Sequence, residues 1–475
     1  MSERLRETES AEDNLRAVTQ LMSRARAAQR QFAEATQEQT DEAVTALAWS
    51  LYEPKRAREL AEMAVADTGL GNAPDKVIKN QRKTFGALRD LLRAKSVGVI
   101  EDDRAHGIVR YAKPMGVVAA VTPSTNPAAT PVNKSMMAIK GRNAIVIAPS
   151  PAGWTTSARA VDYMRAELRR IGAPPDLVQV LPQPASKEMT QALMEMADLV
   201  VVTGSQDNVR RAYRSGTPAI GVGAGNVPVI IDDSADLDDA ARKICASKTF
   251  DNATSCSSEN AVVILDGVYE RAMAALVAAG GYRCGAAEKA AIERTLWRNG
   301  KLNRELIARN AKVLARAFGL GAGAEQARFF IVEEEAVGED RPFADEKLSL
   351  VLTAYRAKDF DGAMDSVRQI LDVQGRGHSC GIHTRDMARA RRLAESTDVV
   401  RVLVNFAHTF GNGGGFDSGL NFTLSMGCGS WQKNSISENL SYKHFLNITH
   451  LVTPIPEDRP SEEELFGRYW ARHGK

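Results

Sequence analysis

The apolar positions in the N-terminal part of the chain recur with the period of an α-helix. Between residues 10 and 95 they are spaced by three and four, as in Val18, Leu21, Met22 and Ala25. This spacing gathers apolar side chains on one side of a helix and leaves polar ones on the other. The pattern therefore predicts that residues 10–95 are almost wholly helical.

After about residue 116 the period changes. Short apolar runs, each ending in Pro, Gly or Ser, alternate with amphipathic stretches such as 155–171 and 186–196; the runs are GVVAAVTP, NAIVIAPS, DLVQVLP and DLVVVTGS. Strands that alternate with helices of this length form βαβ units around a mainly parallel sheet. Because the runs are apolar throughout, both faces of the sheet are expected to be covered. The predicted fold class is α/β.

The composition is that of a globular protein with two or three domains. The chain has 475 residues, of which 44% are hydrophobic and 25% charged, as in ordinary soluble domains. Lys and Arg number 61 against 59 Asp and Glu, a balance that argues against a nucleic-acid-binding protein. No apolar run approaches the ~18 residues of a membrane span, and the charged start MSERLRETESAEDNLRA lacks the apolar segment of a signal peptide. We therefore expect a cytoplasmic protein that binds neither nucleic acid nor a membrane.

The cysteines form no recognisable metal or disulfide pattern. They are Cys245, Cys256, Cys284, Cys380 and Cys428, an odd number in which no two are spaced as in a CxxC pair. The seven histidines add no HExxH-like pattern. We expect neither a disulfide framework nor a metal site.

Two of these cysteines have opposite local settings. Cys245 falls on the apolar stripe of a predicted helix that is capped by residues 232–236, and it is interpreted as a core thiol. Cys256 lies in SKTFDNATSCSSENAVVILD, among small polar residues in a loop before a predicted strand. Such a thiol can be a reactive nucleophile or an incidental surface thiol, and spacing alone leaves both interpretations open.

Loops that follow predicted strands are candidate ligand-binding segments, because ligands of parallel sheets bind beyond the carboxyl ends of the strands. TPSTNP (122–127) and TGSQDN (203–208) are such loops. Backbone N–H groups at the helix start after TGS suit a phosphate or a dinucleotide, although a plain turn capped by Ser205 or Asp207 has the same sequence pattern. GVGAGN (221–226) resembles a dinucleotide fingerprint, but a strand follows it. It is interpreted as backbone that passes close to a bulky group.

Five segments in their order and spacing resemble a known family. They span roughly residues 10–453 and read GVVAAVTPSTNP, TGSQDNVRRAYRSGTPAIGVGAGNVPVIID, SKTFDNATSCSSENAVVI, DEKLSLVLTAY and LSMGCGSWQKNSISENLSYKHFLNITHLV. They are similar to the coenzyme-A-acylating aldehyde dehydrogenases, a branch of the aldehyde dehydrogenase superfamily. Within that branch the chain most resembles the acylating sulfoacetaldehyde dehydrogenases.

The resemblance implies a catalytic cysteine and an oxyanion donor. Cys256 would attack the aldehyde carbonyl, and Asn126 would donate its side-chain amide to the oxyanion together with the Cys256 N–H. Relatives that hydrolyse their thioester carry a glutamate base, whereas this chain has no acid between Asp207 and Asp232. A water would lack a partner to take its proton, and a thiol ionises more readily than water. The acyl group is therefore expected to leave on coenzyme A.

The resemblance also implies an NAD(P) site. The residues expected to line it are Thr122, Pro123, Ser124, Ser150, Gly204, Ser205, Gly223 and Glu346. Glu346 would hold the nicotinamide ribose, although without the resemblance it would be interpreted as a solvated surface charge. The strand-end loop APSPAGWTT has no acid for an unmodified ribose, and Ser150 could accommodate a phosphate. This loop favours NADP over NAD.

His408 and Arg401 are the candidates for substrate recognition. His408 is in the glycine-rich stretch NFAHTFGNGGG, and Arg401 precedes it. Both would suit an anionic aldehyde, and an ordinary surface charge is the alternative for each. Sulfoacetaldehyde is the expected substrate, followed by acetaldehyde and other short aldehydes. A non-acylating dehydrogenase, a reductase of acyl phosphates and a catalytically silent scaffold remain as alternative functions.

The resemblance implies an aldehyde dehydrogenase-like architecture. A Rossmann-like cofactor domain would occupy 1–231, an α/β catalytic domain 232–437, and an oligomerisation segment and tail 438–475. Strands predicted near 106–116 and 444–452 would form a small oligomerisation arm, since their edges need a partner. We expect a homodimer or a dimer of dimers.

Overall fold

The N-terminal part of the chain is helical, which confirms the prediction for residues 10–95. The computed structural model describes the backbone of residues 2–475 and the side chains from residue 12 onward. The helices are, in chain order, α1 (Ser2–Phe32), α2 (Gln37–Tyr52), α3 (Pro54–Thr68), α4 (Ala73–Leu92), α5 (Ala129–Lys140), α6 (Trp154–Arg170), α7 (Lys187–Met196), α8 (Gln206–Arg214), α9 (Leu237–Thr249), α10 (Tyr269–Ala278), α11 (Ala286–Leu296), α12 (Ala311–Phe318), α13 (Phe360–Val373), α14 (Met387–Ser396), α15 (His408–Gly411) and α16 (Glu462–His473).

The strands begin after α4 and alternate with the later helices. They are, in chain order, β1 (Gly98–Asp103), β2 (Ile108–Pro114), β3 (Val117–Thr122), β4 (Ala144–Pro149), β5 (Val178–Val180), β6 (Leu199–Val202), β7 (Ala219–Gly221), β8 (Val227–Ile231), β9 (Glu259–Leu265), β10 (Gly281–Arg283), β11 (Trp297–Arg298), β12 (Lys301–Leu302), β13 (Phe329–Glu334), β14 (Val351–Ala357), β15 (Gly377–His383), β16 (Val399–Val404) and β17 (Leu446–Val452). Most of them belong to two parallel sheets, as the alternation predicted.

The first parallel sheet has five strands in the order β5-β4-β3-β6-β7. Every residue of β3, β4 and β6 is buried, because helices cover both faces and leave no exposed position along these strands. The chain runs outward from β3 to β4 and β5, and it then crosses back to β6 on the other side of β3. Such a reversal opens a crevice at the carboxyl ends of the two strands it separates, here β3 and β6.

The second parallel sheet has seven strands in the order β10-β13-β14-β9-β8-β15-β16. Its inner strand β8 pairs with β9 and β15, so residues 227–231 lie in this sheet and not in the first. The connection between the sheets is therefore the glycine-rich stretch 222–226, a few residues before the predicted domain boundary at 231. The apolar run VPVII suits either sheet, and its pairing partners decide which one it joins.

The two sheets face each other through opposite ends of their strands. The carboxyl ends of β3 and β6 lead into loops at 123–126 and 203–206, and the loops at 222–225 and 254–257 precede the amino ends of β8 and β9. All four loops line one cavity. The cavity therefore lies between the carboxyl edge of one sheet and the amino edge of the other.

A third, antiparallel sheet joins two distant parts of the chain. Its order is β1-β2-β17, and β17 pairs with β2 from Leu446 against Pro114 to Val452 against Ile108. The predicted arm segments thus pair with each other. The side chains of Leu451 and Val452 are exposed.

None of the helices in the described range is both long and apolar enough to cross a membrane.

Candidate active site

The cavity between the two sheets has a volume of about 520 Å³. Most of the residues that the sequence proposed for the site lie in its wall: Asn126, Cys256, Pro123, Ser124, Gly204, Ser205, Gly223 and Glu346. The structure thus brings together side chains that are up to 223 positions apart in the chain, from Pro123 to Glu346.

Two predicted cofactor residues do not line this cavity. Thr122 is the last residue of β3 and is buried. Ser150 directly follows the adjacent strand β4, and its backbone N–H donates to the Thr122 carbonyl at 3.0 Å. Both lie at the carboxyl edge of the first sheet, but outside the cavity wall.

His408 and Arg401, the residues predicted to recognise the substrate, lie in the interior of the protein. Neither lines the cavity, and both are buried, so the surface-charge alternative is wrong. His408 Nε2 lies 2.9 Å from Ser379 Oγ, and burial lowers its pKa to about 3, so the ring is neutral. Arg401 donates to Asn439 Oδ1 at 2.9 Å and to the Gly427 carbonyl at 2.9 Å. These hydrogen bonds hold both side chains inside the protein.

Cys256 lies in the cavity wall, and the residue as a whole is half-buried. Burial of the sulfur raises the pKa of Cys256 to about 12, and the negative charge of Glu346 contributes in the same direction. Burial likewise raises the pKa of Glu346 to about 8. The polar neighbours in the sequence suggested an exposed thiol, but the loop folds inward, and the thiol is protonated at neutral pH in the free protein.

The glycine-rich stretch 222–226 runs directly against the Cys256 loop. A Cβ added to Gly225 would lie 2.2 Å from the carbonyl oxygen of Cys256, and one added to Gly223 would lie 2.2 Å from Gln432 Oε1. The Gln432 side chain holds this stretch by accepting from the Ala224 N–H at 2.7 Å and donating to its carbonyl at 2.9 Å. The interpretation of GVGAGN as backbone that passes close to a bulky group is confirmed.

Three consecutive residues before Cys256 adopt left-handed backbone conformations. The φ angles of Asp251, Asn252 and Ala253 are 51°, 53° and 60°, a region that non-glycine residues avoid and that the surrounding contacts must hold in place. Asp251 provides such contacts: its Oδ1 accepts from the Asn72 N–H at 3.0 Å, and its own N–H donates to Asp75 Oδ2 at 2.7 Å.

Helix α4 supplies the counter-charges for Asp251. Asp251 Oδ2 accepts from Lys76 Nζ at 3.0 Å and from Lys79 Nζ at 2.5 Å, and all three side chains are almost fully buried. Burial alone would raise the pKa of Asp251, but the two ammonium groups outweigh it and hold that pKa below its usual value. The carboxylate is therefore ionised and ties the loop before Cys256 to α4.

Lys79 also fixes the amide of Asn126. Its Nζ donates to Asn126 Oδ1 at 2.9 Å, which assigns the oxygen end of the amide to the lysine. The other end, Asn126 Nδ2, makes only a long contact of 3.4 Å with Thr125 Oγ1. The NH₂ group is thus left as the donor that a ligand in the cavity can use.

One turn further along α4, Arg82 and Lys83 lie in the same wall. Burial lowers the pKa of both, and that of Lys83 to about 7. Among the described residues neither forms an ion pair with a carboxylate. The cavity therefore combines a thiol, an amide donor and cations that no protein acid neutralises.

Comparison with known proteins places this arrangement in a family. Residues 7–315 match the model of the aldehyde dehydrogenase family. The chain belongs to that family. It is 53% identical over 460 residues to a sulfoacetaldehyde dehydrogenase (acylating) from Cupriavidus necator, covering 97% of this chain and 93% of that protein. It is 42% identical over 468 residues to a protein of the same description from Bilophila wadsworthia, covering 97% and 100%.

A solved structure of the same family has the same fold. The crystal structure of an acetylating aldehyde dehydrogenase from Geobacillus thermoglucosidasius superimposes with a TM-score of 0.91 at 34% identity, covering 95% of this chain and 99% of that one. The predicted α/β, aldehyde dehydrogenase-like fold and the resemblance to the coenzyme-A-acylating members are confirmed. The protein is an oxidoreductase of this family.

The crevice between β3 and β6 lies where parallel sheets with such a reversal bind ligands. Gly204 has a φ of 144°, a conformation that side chains disfavour, and it starts the turn into α8. Ser205 caps α8 by accepting from the Asn208 N–H at 3.3 Å, so the predicted cap is Ser205 and not Asp207. Ser205 and Gln206 at this helix start line the cavity, and the N-terminus of a helix suits an anion.

Sequence reasoning missed the contribution of α4. The stretch KVIKNQRK places Lys76, Lys79, Arg82 and Lys83 at steps of three and four, hence on one face of a helix. This stripe was the available signal, but a basic stripe usually marks a solvated face. Only the structure shows that it borders the cavity.

Within the described range no group of three or more His, Cys, Asp or Glu side chains is arranged to hold a metal ion.

Proposed function

We propose that this protein is a coenzyme-A-acylating aldehyde dehydrogenase and that its aldehyde is sulfoacetaldehyde. The observation that carries the acylating assignment is the contact between Gly225 and the Cys256 loop. In the stretch where hydrolytic relatives carry a glutamate base, this chain presents glycine backbone against the nucleophile, with 2.2 Å between an added Cβ and the Cys256 carbonyl oxygen. A side-chain base for water has no room there.

The proposed chemistry begins with Cys256. Its sulfur attacks the aldehyde carbonyl, a C–S bond forms, and the carbonyl oxygen becomes an oxyanion that the Asn126 NH₂ group and the Cys256 N–H stabilise. The thiol proton is given up to water as the sulfur attacks, and Glu346, whose pKa burial raises to about 8, is uncharged below that pH and does not oppose the developing negative charge. After oxidation the acyl group is held as a thioester. The thiol of coenzyme A then attacks it, and the Cys256 sulfur leaves.

We propose that the crevice between β3 and β6 binds NADP or NAD. A bound nicotinamide would supply the hydride acceptor for the oxidation. Pro123, Ser124, Gly204 and Ser205 would hold the cofactor, and Glu346 would accept from its nicotinamide ribose. In the neighbouring strand-end loop the absence of an acid around Ser150 favours NADP. Initial rates with saturating NADP and NAD test this choice, and a rate with NAD at least ten times higher would reverse it.

The substrate assignment is supported by the cations of α4 and by the relatives. The relatives from Cupriavidus necator and Bilophila wadsworthia are described as sulfoacetaldehyde dehydrogenases. Arg82 and Lys83, which line the cavity with Cys256, would attract an anionic aldehyde. Measurement of kcat/KM over a panel of short aldehydes tests the proposal, and a clear preference for acetaldehyde would contradict it.

The acylating mechanism is tested by leaving out coenzyme A. With aldehyde and cofactor alone, absorbance at 340 nm should rise by at most one equivalent per site and then stop. Cys256→Ala should abolish turnover, because no other thiol lines the cavity in the described chain. Cys245→Ala is the matched control: that thiol is in the core and donates to the Ala279 carbonyl, so kcat should change little.

A non-acylating dehydrogenase is the second candidate, and Glu346 is the observation that favours it. Its carboxyl lines the cavity and has a pKa raised to about 8, so it is able to accept a proton from water near neutral pH. Sustained formation of NAD(P)H and free acid without coenzyme A would establish this function in place of the acylating one.

We also propose that the β1-β2-β17 sheet is an oligomerisation arm and that the protein is a homodimer or a dimer of dimers. The edge strand β17 exposes apolar side chains, with Leu451 50% and Val452 66% accessible. Exposed apolar edge strands invite pairing with another chain. Light scattering at micromolar concentration tests this, and a monomer would contradict it.

A further inference from the structure

Arg82 and Lys83 form a pair of cations at the wall of the Cys256 cavity. They follow each other on α4, so their side chains leave the helix about 100° apart, yet both line the same space. We call Arg82 and Lys83 together the cation pair. The cation pair lies among aromatic rings and backbone carbonyls, has no counter-charge in the described chain, and is far in sequence from the catalytic loops.

Aromatic rings hold the Arg82 guanidinium in place. Its Cζ lies 5.5 Å from the ring centre of Phe410, 5.3 Å from that of Phe416 and 5.6 Å from that of Phe422. One guanidinium nitrogen also donates to the Phe410 carbonyl at 3.3 Å. A guanidinium fixed between rings keeps its other N–H groups pointing in set directions. It can therefore receive an oxyanion without first being ordered.

Lys83 is held by a single strong contact. Its Nζ donates one of its three protons to the Gly413 carbonyl at 2.7 Å. The other two protons remain available to a ligand. A Cβ added to Gly413 would lie 2.7 Å from this Nζ, so the glycine permits the approach. The ammonium group is thus fixed at the wall with donors to spare.

The cation pair has no protein counter-ion in the described chain. Arg82 is influenced by the charge of Asp417, which is exposed and forms no ion pair with it, and Lys83 by the Cys256 sulfur. Burying a cation without a partner is unfavourable, and two adjacent ones repel each other. A site that keeps both is expected to bind an anion, because attraction is strong where water is largely excluded.

We propose that the cation pair is the subsite that binds the sulfonate group of the aldehyde, with Arg82 and Lys83 each donating to sulfonate oxygens while Cys256 attacks the carbonyl. This inference rests on the proposed function and assigns the specificity residues of the same cavity. A sulfonate is ionised at every working pH and is not altered by the reaction, so it can serve as a fixed handle. The cation pair takes the place of His408 and Arg401 as the recognition element.

The test compares a charged with an uncharged aldehyde. Arg82→Met, Lys83→Met and the double variant keep the length of the side chain but remove the charge. We expect kcat/KM for sulfoacetaldehyde to fall by roughly 30- to 1,000-fold relative to kcat/KM for acetaldehyde, as for the loss of a desolvated charge contact. Lys83→Arg should retain most of the preference.

Arg89→Met is the matched control. Arg89 lies on the same helix and packs over Phe416 and Phe422, but it is paired with Asp90 at 2.7 Å and does not line the cavity. Its replacement should leave the ratio of the two kcat/KM values unchanged. An equal fall of the ratio in Arg89→Met would mean that packing, and not charge recognition, sets the preference, which would overturn the proposal.

Two further measurements separate the possible anions and roles. Ethanesulfonate, which cannot react, should compete with acetaldehyde in the wild-type protein and lose this effect in the double variant, while the KM for coenzyme A stays constant. A raised KM for coenzyme A with an unchanged aldehyde ratio would assign the cation pair to the phosphates of coenzyme A instead. An equal fall of kcat/KM for both aldehydes, together with slower alkylation of Cys256 by iodoacetamide, would mean that the cations act on the thiol. Either this result or the raised KM for coenzyme A overturns the sulfonate subsite.

Failure of the subsite and failure of the proposed function give different results. If wild-type protein prefers sulfoacetaldehyde and the variants keep that preference, the subsite is wrong and the substrate stands. If wild-type protein prefers acetaldehyde and ethanesulfonate does not compete, the sulfoacetaldehyde assignment itself is wrong, and the subsite falls with it.

Discussion

The two halves of the basic face of α4 look alike in sequence and differ in what neutralises them. Lys76 and Lys79 share the carboxylate of Asp251 at 3.0 and 2.5 Å. Arg82 and Lys83, one turn later, meet aromatic rings and a carbonyl. The first pair is part of the folded framework, and the second leaves positive charge facing the cavity. A helix can thus place structural and ligand-binding cations side by side, and the distribution of acids around it decides which is which.

Removing the shared acid should have the largest effect on this comparison. Asp251→Asn leaves two buried ammonium groups without their counter-ion, and breaking such a pair costs about 3–5 kcal/mol of the free energy of unfolding. The midpoint of thermal or urea denaturation measures it. Asp239→Asn, which loses surface partners Arg242 and Lys243, is the control and should cost no more than about 1 kcal/mol. An equal loss of the free energy of unfolding in both variants would show that Asp251 does not stabilise a buried charge cluster.

Lys79 belongs to the structural half but also contacts Asn126. Lys79→Met should lower kcat by roughly 100-fold, the size of effect seen when an oxyanion donor is lost or misplaced, because the Asn126 amide is no longer held by its oxygen. Lys76→Met removes the same charge without that contact. It should lower the denaturation midpoint and reduce kcat much less. Similar kcat values in the two variants would contradict a positioning role for Lys79.

Glu346 is the acid of the cavity wall, and removing its charge should make Cys256 more reactive. In the free protein Glu346→Gln should speed alkylation by iodoacetamide by up to about tenfold, equivalent to a fall of about one pKa unit in the thiol. Since the pKa of Glu346 is about 8, the acid is charged above that pH, and the difference should grow there and vanish near pH 6. Cys256→Ser identifies the labelled site. A difference that is independent of pH would argue against an effect of charge.

Lys83 is expected to affect stability with a sign opposite to that of Asp251→Asn. The pKa of Lys83 falls from 10.5 to about 7 on folding because of burial, so at pH values below 7 its charged form is buried without a counter-ion. Between pH 7 and 10.5 the unfolded chain binds the extra proton, and the penalty disappears as pH rises. Lys83→Met should therefore raise the denaturation midpoint most at pH 6 and not at all near pH 10.5. A lower midpoint at pH 6 would contradict the idea of an uncompensated cation.

The sequence allowed the sheets, the long N-terminal helices and the place of Cys256 in the cavity wall to be predicted, because each has a local or family signature. Apolar runs ending in glycine or proline give strands, and the segment around Cys256 has a polar setting that a core thiol such as Cys245 lacks. Which sheet VPVII joins could not be predicted in this way, because it is a good buried strand in either sheet and only its pairing with β9 and β15 decides.

Residues whose role depends on distant partners could not be predicted. Lys79 and Asp251 are 172 positions apart, so nothing near α4 in the sequence indicates which of its cations will meet an acid. His408 shows the opposite case. An ordinary surface charge was one expectation for it, whereas its ring is buried and lies 2.9 Å from Ser379 Oγ.

The protonated state of the Cys256 thiol also affects how the protein withstands oxidants. Peroxides attack thiolates and hardly touch thiols, and burial together with Glu346 keeps the pKa of this sulfur near 12. The resting protein should therefore lose activity to hydrogen peroxide slowly, although its function depends on a single sulfur atom. Damage should become fast only under conditions that ionise the thiol, so burial of the sulfur also protects the atom on which the proposed mechanism depends.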